Sequence, residues 1–313
     1  MPDMNNTNKV AIMLCTYNGE EYLKEQLDSI IAQSYGNWCL FVSDDGSNDT
    51  TLDILKAYQQ KIGFDKVVIN QGPMKGFAAN FMDLIRKTPD SFNYYAFSDQ
   101  DDIWLKDKLV TAVSSINSSN DSASQKVYCG RTTLVDEHNN IIGESPLFRK
   151  KPSLKNALVQ SIAGGNTMVL NNEAFKIIQK TPAECDIVSH DWWIYILISA
   201  VGGQIIYDAK STIRYRQHTG NLVGSNTGWI ARCIRLKGLL KGKLKNWNQK
   251  NINALLTMES YITDENVAIL NSFISGRNSG LFKRSFTLMR LKLYRQTLVG
   301  SVALMFAIVL NKL

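Results

Sequence analysis

Residues 94–105 read Tyr-Tyr-Ala-Phe-Ser-Asp-Gln-Asp-Asp-Ile-Trp-Leu, an apolar, strand-like run that ends in three carboxylates, Asp99, Asp101 and Asp102. In open α/β sheets, ligands bind beyond the carboxyl ends of the strands, so polar residues in that position carry chemical meaning. Hard cations such as Mg²⁺ or Mn²⁺ take oxygen ligands, and Mg²⁺ is usually held by one or two carboxylates with substrate phosphates completing the shell. Taken alone, the same residues suit an acidic turn, because Asp is common in turns. The surrounding sequence decides between the two.

Upstream, short apolar runs alternate with longer helical stretches, the pattern of βαβ units and a mostly parallel sheet. Strands are expected over residues 9–15, 38–43, 66–70 and 94–97. Between them, helical spacing runs over 20–33, through Leu52, Ile54, Leu55 and Tyr58, and over 77–86. Polar clusters close three of these strands: Thr16-Tyr17-Asn18-Gly19, Asp44-Asp45-Gly46-Ser47, and the three carboxylates of 99–102. Asn-Gly after a strand is also an ordinary turn. Asp44 reads as a cap, and Asp49 is placed to cap the following helix.

Downstream, the Ser- and Asn-rich residues 114–125 read as a surface connection. Strands are expected over 126–135, 164–170 and 205–215, and a helix over 189–201 that Gly202-Gly203 terminates. Beyond Trp229 the spacing is helical, basic and aromatic.

The 313 residues are 44% hydrophobic, enough for one large α/β domain with an appendage, or for two domains. The formal charge is +7, and the surplus sits in the last third. Residues 214–250 carry Lys and Arg without one Asp or Glu, and residues 283–295 add five more basic residues. Charge alone suits nucleic acid or an anionic membrane equally. No helix-turn-helix, zinc or RNA-recognition signature accompanies it, which disfavours nucleic acid. Five scattered cysteines show no metal or disulfide spacing, and Met-Pro-Asp-Met-Asn-Asn-Thr-Asn is no secretory signal, so the expected compartment is the cytosol. Residues 298–310 are apolar apart from Gly300 and Ser301 and too short to span a bilayer. Flanked by Arg284, Arg290, Lys292 and Arg295, they suit a buried helix or one lying in the cytoplasmic membrane interface, and the interface is preferred.

The motifs in order are Thr-Tyr-Asn, Asp-Asp-Gly-Ser, Asp-Gln-Asp-Asp-Ile-Trp, Val-Ser-His-Asp-Trp-Trp at 188–193 and Tyr-Arg-Gln-His-Thr-Gly-Asn at 215–221. The chain thereby resembles glycosyltransferase family 2, and its last two motifs are similar to those of bacterial rhamnosyltransferase-type members that build surface polysaccharide, O-antigen or capsule, from dTDP-L-rhamnose. The resemblance implies a GT-A fold over residues 1–225: a Rossmann-like, mostly parallel sheet flanked by helices, with a nucleotide-sugar half at about 9–113 and an acceptor half at about 126–225. Residues 226–313 would form a helical, basic, membrane-associating extension.

The resemblance also implies roles. Thr16, Tyr17 and Asn18 would line the nucleotide pocket with Tyr17 against the base, Asp45 would contact base or ribose, and Asp99 would face the ribose. Asp101 would hold Mg²⁺ or Mn²⁺, with Asp102 beside it and His218 as a further ligand. Lys75 and Gly76 match a loop near the nucleotide. Asp191 would be the general base of an inverting transfer, and a carboxylate at a helix start lies in the favourable field of that terminus. Arg214, Arg216, Trp192 and Trp193 would meet the diphosphate or the acceptor, although helix capping for Asp191 and core packing for one Trp are the plain alternatives. His138 and His190 read as solvent or packing residues, His190 being nearer the site. The donor partner is then a nucleotide sugar, the acceptor a lipid-linked saccharide at the inner membrane face. A UDP-hexose donor, glucose or galactose, and a non-catalytic nucleotide-sugar-binding protein are the alternatives. The Gln-x-x-Arg-Trp motif and multiple spanning helices of processive members are missing, so one or a few sugars would be added.

Overall fold

Val10–Thr16 (β1) reads Val-Ala-Ile-Met-Leu-Cys-Thr, and all seven residues are buried in the computed structural model, which describes residues 8–218 and 242–313. A strand apolar on both sides must be covered on both sides. Val10, Ile12 and Leu14 enter one core, and Ala11, Met13 and Cys15 enter another, as the two-residue alternation of a strand requires. Thr219, Gly220 and Asn221, Cys233, the boundary expected near 225 and the helical spacing expected from Trp229 to residue 241 lie outside the described residues.

The other strands are β2 (Trp38–Asp44), β3 (Val67–Gln71), β4 (Tyr94–Ser98), β5 (Ile103–Trp104), β6 (Lys126–Gly130), β7 (Thr133–Val135), β8 (Ile141–Glu144), β9 (Val169–Asn171), β10 (Gln204–Asp208) and β11 (Ile213–Arg216). Seven form the main sheet in the order β10-β6-β9-β4-β1-β2-β3, parallel except for β9, which runs against both β4 and β6. The order reverses between β1 and β4, and that reversal opens the crevice where α/β sheets take ligands. One face is covered by α1 (Leu23–Ile31), α2 (Thr51–Ile62) and α4 (Lys108–Asn117). The other carries α3 (Phe77–Lys87), the short α5 (Leu154–Ala157), α6 (Asn172–Gln179) and α7 (His190–Ala200). The fold is the mixed α/β architecture expected.

A second sheet, β5-β11-β7-β8, departs from the expected pattern. The single strands expected over 126–135 and 205–215 are each broken in two. Both breaks let the chain step from the main sheet to the small one, β6 and β10 pairing in the first and β7 and β11 in the second. Residues 164–170 likewise divide into a 3₁₀ turn, Gly165–Thr167, and the three-residue β9.

Ten of the eleven residues of α7 are buried, consistent with a helix apolar all round. Past residue 242 come α8 (Lys243–Thr257), α9 (Asp264–Arg277), α10 (Leu281–Arg290) and α11 (Leu298–Val309). Ile252, Leu255, Leu270, Phe273, Leu288, Leu304 and Ile308 extend the core that contains α7. Trp247 of α8 meets Trp192 of α7 edge to face, ring centres 5.9 Å apart.

Candidate active site

The two residues of β5 assemble the site. Ile103 pairs with Arg214 and Trp104 with Ile213, which draws the end of β11 against the acidic turn after β4. Asp102 is fully buried there, with Oδ1 accepting from the Arg216 backbone N–H (3.2 Å) and Oδ2 from the Asn166 amide (2.6 Å). Burial, and then the charges of Asp101 and Asp99, push its carboxyl well up. Burial also brings the ammonium of the equally buried Lys108 down to about 7, against the pull of Asp102. Asp102 is therefore a floor beneath the site, and Asp101 is the carboxylate that faces it. Asp101 Oδ2 lies 2.9 Å from His218 Nε2, and the His218 ring packs on Tyr22 with centres 4.9 Å apart.

Asp99 is half-buried immediately after β4. Burial lifts its carboxyl to about 8, and the negative charges of Asp101 and then Asp191 add to that rise. Asp191, far along the chain, is thus near enough to Asp99 for its charge to act on it. Asp191 stands in the first turn of α7 as its one residue that is not buried. Its Oδ1 accepts from the Trp192 backbone N–H (2.7 Å) and from the Ser189 hydroxyl. Two carboxylates and an imidazole are suitable donors for a divalent cation, and a carboxyl lifted by its neighbours' negative charge is what such a cation relieves. Among the described residues, no three His, Cys, Asp or Glu side chains stand together as a group that could hold a metal ion by themselves.

The loops after β1 and β2 are tied to each other. Asn18 is left-handed (φ 46°), its N–H donates to Ser47 Oγ (2.8 Å) and its Oδ1 accepts from the Asn48 N–H (2.9 Å). Thr16 is buried and donates to Asp44 Oδ2 (2.8 Å), while Asp44 Oδ1 accepts from the Gly46 and Ser47 N–H groups. Tyr17 is left 57% exposed at the crevice. Asp45 accepts from the backbone N–H groups of Met74 (2.7 Å) and Gly76 (2.8 Å), so it holds the 72–76 loop in place through both of its oxygens. Asn18 and Asp45 thus shape this end of the sheet by holding backbone, Thr16 by holding the Asp44 carboxylate, and Tyr17 offers an aromatic face.

Four expected contacts fall elsewhere. Trp193 is completely buried with its indole N–H on Thr181 Oγ1 (3.0 Å), and Trp192 is 6% exposed with its N–H on the Ala157 carbonyl (2.7 Å). Neither presents a face to a sugar, because α7 is covered on every side. Arg216 is 1% exposed: it stacks on Tyr22 (4.5 Å), donates to the carbonyls of Asp101 (3.0 Å) and Glu137 (2.6 Å), and pairs with Glu25. It braces the acidic turn and does not reach a diphosphate. Arg214 donates to Asn139 Oδ1 (3.1 Å) on the small sheet.

Two further residues emerge from the packing. Gln100, between the site carboxylates, accepts from the Tyr17 N–H (2.8 Å) and donates to the Tyr17 carbonyl (3.0 Å), pairing with that backbone as a strand would. A Cβ on Gly19 would lie 2.4 Å from Gln100 Oε1, which explains the glycine. Only the position of a Gln inside an acidic turn hinted at this. His190 is buried, stacked on Phe81 at 3.9 Å, and held neutral by burial, which brings its imidazole down to about 4. Its Nε2 faces Gly165 so closely that a Cβ there would lie 2.1 Å away. It is a packing residue that couples the base of α7 to the 164–166 turn.

A mostly parallel sheet with its crevice at the β1/β4 reversal, the exposed Tyr17 ring after β1 and the acidic turn after β4, defines an α/β protein that takes its ligand beyond the carboxyl ends of the strands. The model of glycosyl transferase family 2 matches residues 11–177. A dTDP-rhamnosyl transferase of Shigella flexneri is 32% identical over 267 residues, covering 80% of this chain and 87% of that protein. A glucosyltransferase of Escherichia coli named for UDP-Glc and α-D-GlcNAc-diphosphoundecaprenol is 30% identical over 136 residues, 43% of this chain and 49% of that one. Among solved structures, S. aureus TarS 1-349 in complex with UDP-GlcNAc superposes with a TM-score of 0.53 at 15% identity, over 91% of this chain and 89% of that one. The chain belongs to glycosyltransferase family 2 and is a glycosyltransferase of GT-A fold related to a dTDP-rhamnosyl transferase.

Proposed function

We propose that the protein transfers L-rhamnose from dTDP-L-rhamnose, with inversion at the anomeric carbon, to a lipid-linked saccharide at the cytoplasmic face of the membrane. The observation that carries the reading is Asp101 held 2.9 Å from His218 in the acidic turn after β4, with the charge of Asp191 acting on the neighbouring Asp99. The S. flexneri relative supports the rhamnosyl donor, and the E. coli relative's diphosphoundecaprenol-linked substrate supports the lipid acceptor.

Tyr17 packs on the base, and Asp99 takes the ribose side. Asp101 and His218, beside Asp99, would hold Mg²⁺ or Mn²⁺, which supplies positive charge to the leaving diphosphate. With Oδ1 of Asp191 occupied by the Trp192 and Ser189 donors, Oδ2 receives the acceptor hydroxyl. That oxygen bonds to the anomeric carbon, its proton passes to Asp191, and the carbon–oxygen bond to the β-phosphate breaks so that the nucleoside diphosphate leaves with the electron pair. His218 and the turn braced by Arg216 keep Asp101 in register for this displacement. The basic C-terminal region docks the enzyme on the membrane, and nucleic acid is not a partner.

Donor-dependent thermal stabilisation tests the reading, since a ligand at 100 times its Kd stabilises by about 2.7 kcal/mol. A shift with dTDP-L-rhamnose that requires the divalent cation supports it. A shift only with UDP-glucose or UDP-galactose reassigns the donor. No shift with any nucleotide sugar, cation present, points to a non-catalytic relative.

A further inference from the structure

Residues 266–313 contain seven Lys or Arg and no Asp or Glu. In this stretch α10 exposes Phe282 (90%), Phe286 and Met289, and α11 exposes Leu298 (82%), Val302 and Phe306. The spacings, i, i+4, i+7 and i, i+4, i+8, place each set on one helix face. The inward faces are carried by Arg284 and Leu288 of α10 and by Leu304, Ala307 and Ile308 of α11.

The two helices are locked together. Arg284, 6% exposed, donates to the carbonyls of Ile308 (2.7 Å) and Val309 (3.0 Å) at the end of α11 and to that of Ser279 (3.0 Å). A cation bonded to the last carbonyls of a helix also opposes the negative end of its dipole. The connection between the helices is fastened to the catalytic domain: Gln296 and Lys150 exchange two bonds of 2.9 Å, and the Asn156 amide donates to the Tyr294 carbonyl (2.8 Å). The exposed apolar rows therefore belong to a rigid ledge joined to the domain that carries Asp191.

We infer that the outer faces of α10 and α11 form a membrane-insertion ledge that lies in the headgroup plane of an anionic phospholipid surface. The inference deepens the membrane-docked reading above and rests on it. The twelve residues of α11 extend about 18 Å, against a hydrocarbon core of about 30 Å. No helix among the described residues is long and apolar enough to cross a membrane. Exposed Lys283, Arg290 and Lys292 carry the charge that attracts anionic headgroups. A second copy of the chain is the poorer occupant, because a stretch without one acid would set positive charge against positive charge.

The test uses the full-length protein and sedimentation with phosphatidylcholine vesicles, with and without about one-third phosphatidylglycerol. Wild type should pellet with the anionic vesicles and much less with the neutral ones. F282D/F286D, and separately V302D, should each weaken that binding by about tenfold or more. These side chains are exposed, so circular dichroism and the melting temperature should not change. Nucleoside diphosphate release with a water-soluble acceptor should also be kept, which separates failure of the ledge from failure of the transferase reading. Wild type that ignores anionic vesicles, or variants that pellet as well as wild type, would overturn the inference. Self-association abolished by these substitutions, without lipid binding, would overturn it in favour of a dimer interface.

Discussion

At neutral pH and without a cation, Asp99 holds a proton, because burial and the charges of Asp101 and Asp191 lift its carboxyl to about 8. A divalent cation bound beside Asp99 must expel that proton, so its affinity depends on pH. From about pH 7 to about pH 9 the proton's competition falls roughly tenfold, ~1.4 kcal/mol of apparent binding free energy. The buried Lys108, at about 7, and Asp102, raised well above its ordinary value, also lie near this window, so Asp99→Asn isolates the Asp99 contribution. The sign for stability is opposite. A carboxyl raised in the folded state stabilises the cation-free protein fully below its unfolded pKa of about 4, and that stability is lost as pH rises through about 8. Titration calorimetry with Mg²⁺ at several pH values, in two buffers of different ionisation enthalpy, measures both the affinity and the protons released. Wild type should release up to one proton at pH 7 and bind more tightly as pH rises. Asp99→Asn should lose this pH dependence. Flat wild-type affinity across the window, or a slope that survives in Asp99→Asn, would refute the reasoning.

Three other outcomes follow from the geometry. Asp191→Asn should lower kcat by about 10²–10⁴-fold while the Kd for donor, read by thermal shift, stays within a few-fold, because the carboxylate is needed in the transition state. Gln100→Ala removes both bonds to the Tyr17 backbone; we expect about 1–3 kcal/mol of destabilisation by urea unfolding and a raised KM for donor at similar kcat. Arg216→Met keeps the backbone bond to Asp102 but removes the side-chain bonds to the Asp101 and Glu137 carbonyls that brace the acidic turn, so urea unfolding should report a loss of about 1–3 kcal/mol.

Much of the fold was legible because local pattern and tertiary demand agree. The runs at 10–16, 38–44, 67–71 and 94–98 are apolar, short and closed by polar clusters, and the intervening helices carry their own period. The broken strands at 126–135 and 205–215 were not legible, because the step between sheets is set by β5, two residues with no period of their own. Within the site, Asp99, Asp101 and Asp191 are readable as carboxylates at element ends, whereas the nearness of Asp191 to Asp99 depends on the path of α7. Trp192, Trp193 and Arg216 show the limit most plainly. Aromatic and cationic side chains suit sugar and phosphate chemically, and only the packing reveals that these three are enclosed. Gln100 shows the reverse, a residue without catalytic character whose amide fixes the backbone of Tyr17 after β1.

The most direct test of the central claim is nucleoside diphosphate release by purified wild type and Asp191→Asn, supplied with dTDP-L-rhamnose, a divalent cation and a diphosphate-lipid-linked saccharide. The account predicts acceptor-dependent dTDP release, with a β-to-α or α-to-β change at the anomeric carbon of the product, that nearly vanishes in Asp191→Asn. Wild-type turnover in Asp191→Asn, or a product that keeps the donor's anomeric configuration, would contradict it.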